Sequence, residues 1–418
     1  MTFGEFIGWL RSHRRRIGIA LVLLMIVGVW WQFLFAEDGF YVVKLAGATD
    51  QTKSPSVVSG NSVMPASSKS LEERRLILTQ QFELADHTLC SYEVATKYPP
   101  TSRPMSEQPD QVYPNKPVVD QHAMRKEDGG VDDAVQIQTS QSRIYVATGE
   151  TVVFTVKATD KEGNMVPLNI NRAVSSGITS KGSRDGPQLV LSIQDGGIDG
   201  DTVAGDGTYS GVLAPAQSGF ANFNGTIRTE VRYYVDGHAG VVLFDIIYTA
   251  ESPATWSGPV RETLEGGSLN YYLKANVLIP GRYIVTGRVD DAKGKPVALV
   301  TFNDLLGQGS NEIRLEVAGN LLRDKEPVFP LALRDVYAYL LKENVDPDRA
   351  LMPRLEGNVY VSKNYPLNSF SDAEWQSEER SKYLTEYNKD VELAKAALIE
   401  LNPDQARLQF PQSECAKQ

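Results

Sequence analysis

TIRTEVRYYV (226–235) and GVVLFDIIY (240–248) stand on either side of Asp236-Gly237, and this arrangement decides the reading of the chain. Two β-patterned runs joined through Asp-Gly predict a hairpin, because a two-residue turn that matches strand twist needs positive φ at its central positions. Working outward, the β pattern runs from about 134 to 250. Val152, Phe154, Val156 and Ala158 alternate with polar residues, and Leu189, Leu191 and Ile193 do the same. Short strands without helical periods between them predict a β-sandwich. A second such stretch lies between about 257 and 342. It holds Tyr283 and Val285, the run Pro296–Phe302 beside a Lys293-Gly294 turn, and alternating Ile313, Leu315 and Val317. We read residues 131–250 and 251–365 as tandem immunoglobulin-like sandwiches, each of the usual size of about 100 residues.

Amphipathic helices flank this mainly β region. Within 70–130, Ser70 and Glu73 match a capping box, and Leu71, Leu78, Phe82, Ala85 and Leu89 recur at helical spacing up to about Cys90. Six prolines from Pro99 to Pro117 then forbid a helix and predict either an extended segment wrapping a surface, pinned by Tyr98 and Tyr113, or a disordered linker. Within 366–418, Ser371 and Glu374 match a second capping box. Leu384, Tyr387, Val391, Ala394 and Leu398 form a stripe that Pro403 ends. The two stripes either pair with each other or dock separately on the sandwiches; coiled-coil dimerisation has few heptads to rest on.

At the N-terminus, IGIALVLLMIVGVWWQFLFA (17–36) is an uncharged stretch of twenty residues, long enough as a helix to cross a bilayer. Arg11, Arg14, Arg15 and Arg16 precede it, while Glu37 and Asp38 follow. By the positive-inside rule, residues 1–16 form a cytoplasmic tail, 17–36 a transmembrane helix and 37–69 a flexible tether. The expectation is a single-pass protein of the inner membrane, attached through residues 17–36, with its N-terminus in the cytoplasm and its bulk in the periplasm. A cleaved signal peptide shares the basic-then-apolar order but has a shorter apolar core.

The chain of 418 residues exceeds the size of one ordinary core, so several units are expected. A net charge of −10 argues against nucleic acid as a partner. The four histidines are scattered, without metal-ligand spacing, and there is no nucleophile elbow, phosphate loop or dinucleotide fingerprint. No catalytic residue is singled out and no enzyme is expected. Asp290 and Asp291, beside Gly294, read as turn residues.

Residues 195–209 contain five glycines and four aspartates, Asp195, Asp199, Asp201 and Asp206. Closely spaced carboxylates suit a hard cation such as Ca²⁺, the one cofactor the sequence suggests. Measured against an EF-hand loop, Asp195, Asp199, Gly200 and Asp206 fall at positions 1, 5, 6 and 12, but Gly197 stands at position 3 and the flanks read as strands. A tight turn without metal uses the same residues, so both readings stand. Cys90 and Cys415, the two cysteines, either bridge in an oxidising compartment or remain separate thiols.

The run DGGIDGDTVAGDGTYSGVL (195–213) resembles the signature of Ig-like domains in Gram-negative bacterial proteins of the choice-of-anchor X type. The pieces FDIIYTAESPATWSG (244–258), RYIVTGRVDDAKGKPVALVTFND (282–304) and FPLALRDVYAYLL (329–341) are similar to stretches of the same group. The resemblance covers residues 140–345. It implies tandem sandwiches and an envelope location, and it brings no catalytic residues. The function expected is therefore a non-catalytic, membrane-anchored interaction module that binds an envelope protein or polysaccharide. The alternatives are an envelope hydrolase with a Ca²⁺-stabilised sandwich and an accessory subunit of an inner-membrane secretion or surface assembly.

Overall fold

The computed structural model describes residues 66–127, 129–178 and 186–404, together with Phe410 and Cys415. The chain is mainly β, with several sheets. Helix α1 (Ala66–Ala95) leads into a short strand, β1 (Ser102–Pro104). Nine strands follow: β2 (Val118–Arg125), β3 (Val131–Gln141), β4 (Tyr145–Ala147), β5 (Val152–Thr159), β6 (Leu168–Gly177), β7 (Gln188–Leu191), β8 (Thr208–Leu213), β9 (Gly225–Val235) and β10 (His238–Thr249). They form two sheets, β2-β3-β5-β8 and β4-β10-β9-β6-β7. Alternate residues of β5 and β9 are buried, and Phe154 meets Phe244 of the other sheet with ring centroids 4.8 Å apart. Each large apolar side chain removed from water in this way contributes about 1.5–3 kcal/mol.

The hairpin at the centre of the sequence argument is β9–β10. Val235 pairs with His238, and the two turn residues sit at φ 49° (Asp236) and 77° (Gly237). Across this ladder Gly240 pairs with Tyr233, whose ring would lie 2.5 Å from any Cβ there; glycine leaves room for the buried tyrosine.

The second unit contains β11 (Ala254–Glu265), β12 (Ser268–Val277), β13 (Gly281–Asp290), β14 (Pro296–Leu306), β15 (Gly309–Val317), a short helix α2 (Gly319–Lys325), β16 (Ala332–Leu341), β17 (Arg349–Leu351) and β18 (Leu355–Val361). One sheet is β11-β12-β15; the other is β1-β14-β13-β16-β17, with β18 also on β16. Tyr271, Leu273, Ile313 and Leu315 from the first meet Val285, Val300, Leu333 and Val336 from the second in one core. Asp291 closes the β13–β14 turn by accepting from the backbone N–H groups of Lys293 and Lys295 at 2.8 and 2.9 Å. Asp290 instead pairs with Arg334.

Strand β1 belongs to the second unit, where Ser102 pairs with Val300, yet it precedes the whole first unit in sequence. The proline-rich segment thus starts on one unit and delivers β2 to the other. The first unit begins at Val118, upstream of the expected boundary at 131, because β2 is an edge strand with Met124 as its one buried residue and carries no alternation to read.

Helix α3 (Glu378–Leu401) runs antiparallel to α1: Phe82 packs with Val391 and Leu398, while Tyr92, further along α1, meets Tyr383 and Tyr387 near the start of α3. The two stripes therefore cover each other. Neither capping box acts as expected. Ser70 lies inside α1, which starts at Ala66 and so shortens the expected tether. The cap of α3 is Ser377, whose hydroxyl accepts from the Arg380 N–H at 3.0 Å. Ser371 to Gln376 stay non-helical because the chain there is tied elsewhere, Trp375 N–H donating to the Lys97 carbonyl at 3.2 Å.

Among the described residues no helix is long and apolar enough to cross a membrane. Each long helix is interrupted by charged residues, with Glu72, Glu73, Arg74 and Arg75 of α1 exposed beside Leu71, Leu76 and Ile77. This corrects the expected single-pass inner-membrane placement, with cytoplasmic N-terminus and periplasmic bulk. The stretch 17–36 on which it rested lies outside the described residues, as do the expected tail and residues 37–65 of the tether.

Candidate functional site

A cleft of about 710 Å³ opens where the second unit, the proline-rich strap and the β3–β4 connection of the first unit meet. Its floor follows from strand alternation. Tyr283, Val285, Gly287 and Val289 of β13 face the core, which turns Thr286 and Arg288 outward; Val336, Ala338 and Leu340 of β16 do the same for Tyr337 and Tyr339.

Arg288 faces out of the sheet yet is 2% exposed, because the strap covers it. Its Nε donates to the Gln111 carbonyl at 3.1 Å, Nη2 to Gln111 Oε1 at 2.8 Å and Nη1 to the Asp335 carbonyl at 2.9 Å. Asp335 sits at φ 48° beside a register shift between β13 and β16, which turns its carbonyl to Arg288. Its carboxylate accepts from Gly357 N–H, Asn115 Nδ2 and Arg334 Nη1. Burial lowers the pKa of Arg288 from its ordinary value, against the nearby Tyr337 and Asp335, which raise it.

The far wall comes from the first unit and the β17–β18 turn. Arg354 donates to the Tyr145 carbonyl at 2.7 Å and to Glu150 at 2.6 Å; Arg143 reaches the other Glu150 oxygen at 3.3 Å. Glu150 also accepts from Ala147 N–H at 2.8 Å, so one half-buried carboxylate ties the β4 loop to the second unit.

Guanidinium groups stack with tyrosine rings throughout. The Cζ atoms of Arg288 and Arg354 lie 4.8 and 5.1 Å from the Tyr337 ring centre, and that of Arg349 lies 4.4 and 4.8 Å from Tyr145 and Tyr339. Burial pushes the Tyr337 phenol up to about 12 although both arginines pull it down, so it is a neutral donor, bonded to Asn115 Oδ1. Hydrogen bonding to Asp348 raises the Arg349 pKa. The lining thus offers planar cationic donors and phenols. It holds neither histidine nor cysteine among its described residues, and the Ser142 hydroxyl accepts from Val153 N–H at 2.9 Å.

The aspartate-rich loop is a separate feature. Asp195, Asp201 and Asp206 bring one carboxyl oxygen each within 4.8 Å of the others, whereas Asp199 occupies a turn position at φ 54° and stays out of the cluster. Asp195 accepts from Gly205 and Gly207 N–H at 2.6 and 2.9 Å, and Asp201 from Gly197 and Val203 N–H at 2.7 and 3.0 Å. The Thr208 side chain and N–H lower the Asp206 pKa. Ca²⁺ takes roughly six to eight oxygens. Three carboxylates whose oxygens already receive backbone donors fit that demand in part and fit a closed turn fully. Cys90 and Cys415, 325 residues apart, are joined by a disulfide with Cα atoms 5.9 Å apart.

The arginines and tyrosines of the cleft were not singled out from sequence. The available signal was a charged residue, Arg288, inside an otherwise buried strand pattern, and the Tyr-x-Tyr spacing of 337–339.

No family model matches the chain, and no curated protein matches it. Among solved structures it is similar to a DUF4785 family protein from Legionella pneumophila, with 13% identity, a TM-score of 0.33 and coverage of 49% of this chain and 52% of that one. It is also similar to the Yersinia pseudotuberculosis adhesin InvE, with 12% identity, a TM-score of 0.17 and coverage of 51% and 57%. The chain spans about half the length of each. Likenesses this slight carry no argument about function.

Proposed function

We propose that the chain is a non-catalytic binding protein whose tandem immunoglobulin-like sandwiches hold a protein or polysaccharide partner in the cleft between them. The observation that carries this reading is the lining, where Arg288, Arg349 and Arg354 are stacked with Tyr145, Tyr337 and Tyr339. Arginine and tyrosine are the side chains that most often dominate binding energy, since each combines a large rigid face with directional donors. Stacking and hydrogen bonding preorganise these groups, which lowers the ordering cost of binding.

The test is capture of partners by the immobilised full-length chain, compared with Thr286→Glu, which sets a carboxylate on the cleft floor while leaving every ion pair in place. The variant should lose the partner at unchanged melting temperature. Capture indifferent to this change, or turnover of a glycan, ester or peptide that one substitution abolishes, would sink the reading.

A further inference from the structure

The charge of the cleft opposes the charge of the chain. The sequence carries −10 overall, yet the lining holds Lys116, Arg143, Arg288, Arg349 and Arg354 against Asp110 alone. The partners outside the lining do not fully offset this. Arg143 and Arg354 share Glu150, Arg143 also reaches the exposed Glu356, and Arg349 pairs with Asp348 at 2.8 Å, which leaves Arg288 and Lys116 outside these pairs. The hydrogen bonds of Arg288 all end on uncharged oxygens, and no ion pair reaches it among the described residues. A cation bonded only to uncharged oxygens, with the carboxylates of Asp335 and Asp110 near but not paired to it, leaves a positive potential in the walled cleft.

Apolar anchoring is scarce by comparison. Leu351 and Met352 are buried, leaving Pro117, Val118 and Ile144 as the exposed aliphatic side chains of the lining. A protein segment gains most from apolar anchors in pockets. A chain of sugar acids instead presents carboxylates, which guanidinium groups bind through paired donors, and hydroxyls, which phenols and side-chain amides can meet.

We propose that the cleft binds a carboxylate-bearing polysaccharide, a polyuronate in chemical class, with its carboxylates facing the guanidinium groups gathered around Tyr337 and Tyr339. The proposal rests on the reading of this cleft as a binding site.

Calorimetry on the full-length chain with polygalacturonate tests it. Fully methyl-esterified polygalacturonate has the same backbone without charge, and poly-glutamate has the charge without sugar. Polygalacturonate should bind, weakening with added salt, and should bind at least tenfold more weakly to Thr286→Glu and to Arg349→Gln. Both controls should bind at least tenfold more weakly to the unaltered chain. Equal binding of the ester overturns the carboxylate, equal binding of poly-glutamate overturns the sugar, and indifference of both variants overturns the site. If no polymer binds while partner capture still depends on Thr286, the ligand class alone fails; if capture is independent of Thr286 as well, the binding reading fails with it.

Discussion

Arg288 and Gln111, 177 residues apart, are joined twice: the guanidinium donates to the backbone oxygen of Gln111 at 3.1 Å and to its side-chain oxygen at 2.8 Å. The bond to the main chain fixes the path of the strap, and the bond to the side chain fixes its register. Arg334, donating to the Val112 carbonyl at 2.9 Å, holds the next residue. The strap is thus held to the sheet by arginines that strand alternation turns outward, and it closes one side of the cleft.

Arg288→Met should therefore release the strap without emptying the core. The substitution keeps much of the aliphatic stem but leaves the Gln111 and Asp335 carbonyls without their charged donor, a loss of about 1.5–3 kcal/mol for each well-formed bond to a charged group. Hydrogen–deuterium exchange should rise over 105–117 while β9 and β10 keep their protection. Gln111→Ala, which spares the carbonyl, should have a smaller effect. Uniform loss of protection in both units would show that the arginine supports the fold as a whole.

The start of the strap has an electrostatic anchor that acid should release. Lys97 pairs with Asp324 of α2 at 2.6 Å, and the Tyr98 hydroxyl donates to the same carboxylate at 2.8 Å. Desolvation raises the Asp324 pKa, but the Lys97 and Tyr98 hydrogen bonds outweigh it and the net shift is downward. A carboxyl whose folded pKa is depressed contributes stability above its unfolded value, near 3.9, and loses it as pH falls through the folded value. Thermal scans should show stability falling more steeply on acidification below pH 4 in the unaltered chain than in Asp324→Asn. Parallel curves for the two proteins would remove Asp324 from the account.

The disulfide should stabilise the helical pair more than the sandwiches. Cys90 lies in α1, and Cys415 follows α3, which meets α1 through a small apolar cluster and through Tyr92 set at an angle to Tyr383 and edge-on to Tyr387. Closing so long a loop stabilises by about 6 kcal/mol in the chain-entropy description, less any strain. Non-reducing mass spectrometry should find the Cys90–Cys415 peptide, and Cys90→Ser plus Cys415→Ser should raise exchange in α1 and α3 alone. Full labelling of both thiols in the unreduced protein would dispose of the bridge.

What could be read from sequence follows the range of the signal. The β9–β10 hairpin is local: Asp236-Gly237 supplies the turn, and the strands on either side supply the pattern. Buried alternation in β5 and β13 is local too. The insertion of one unit between β1 and β11 is not, because β1 is three residues long and makes sense only against β14, far along the chain. The cleft has the same character. Tyr145, Arg288, Tyr337 and Arg354 come from different strands and connections, and no spacing among them predicts that they meet. The helix caps failed for a neighbouring reason: Ser371-x-x-Glu374 has the composition of a cap, but the Lys97 carbonyl holds that stretch in another conformation.

The aspartate-rich loop shows how spacing alone misassigns roles and yields the sharpest substitution test. Linear comparison with a calcium loop favoured Asp199, yet its positive φ places it at a bend, and Asp201 takes the inner position at 8% exposure. Asp195 holds Gly205 and Gly207, which both sit at φ 78°, so its two oxygens set the return path of the loop toward β8. Asp195→Ala leaves two backbone N–H groups without their acceptor and should cost about 1–3 kcal/mol, whereas Asp199→Gly relieves a left-handed residue and should be neutral or mildly stabilising. Because the backbone donors close the turn, adding Ca²⁺ to the unaltered chain should leave its melting temperature in place. A rise with Ca²⁺ that Asp201→Ala plus Asp206→Ala removes would show instead that a cation completes the loop, and that these carboxylates serve it before they serve the turn.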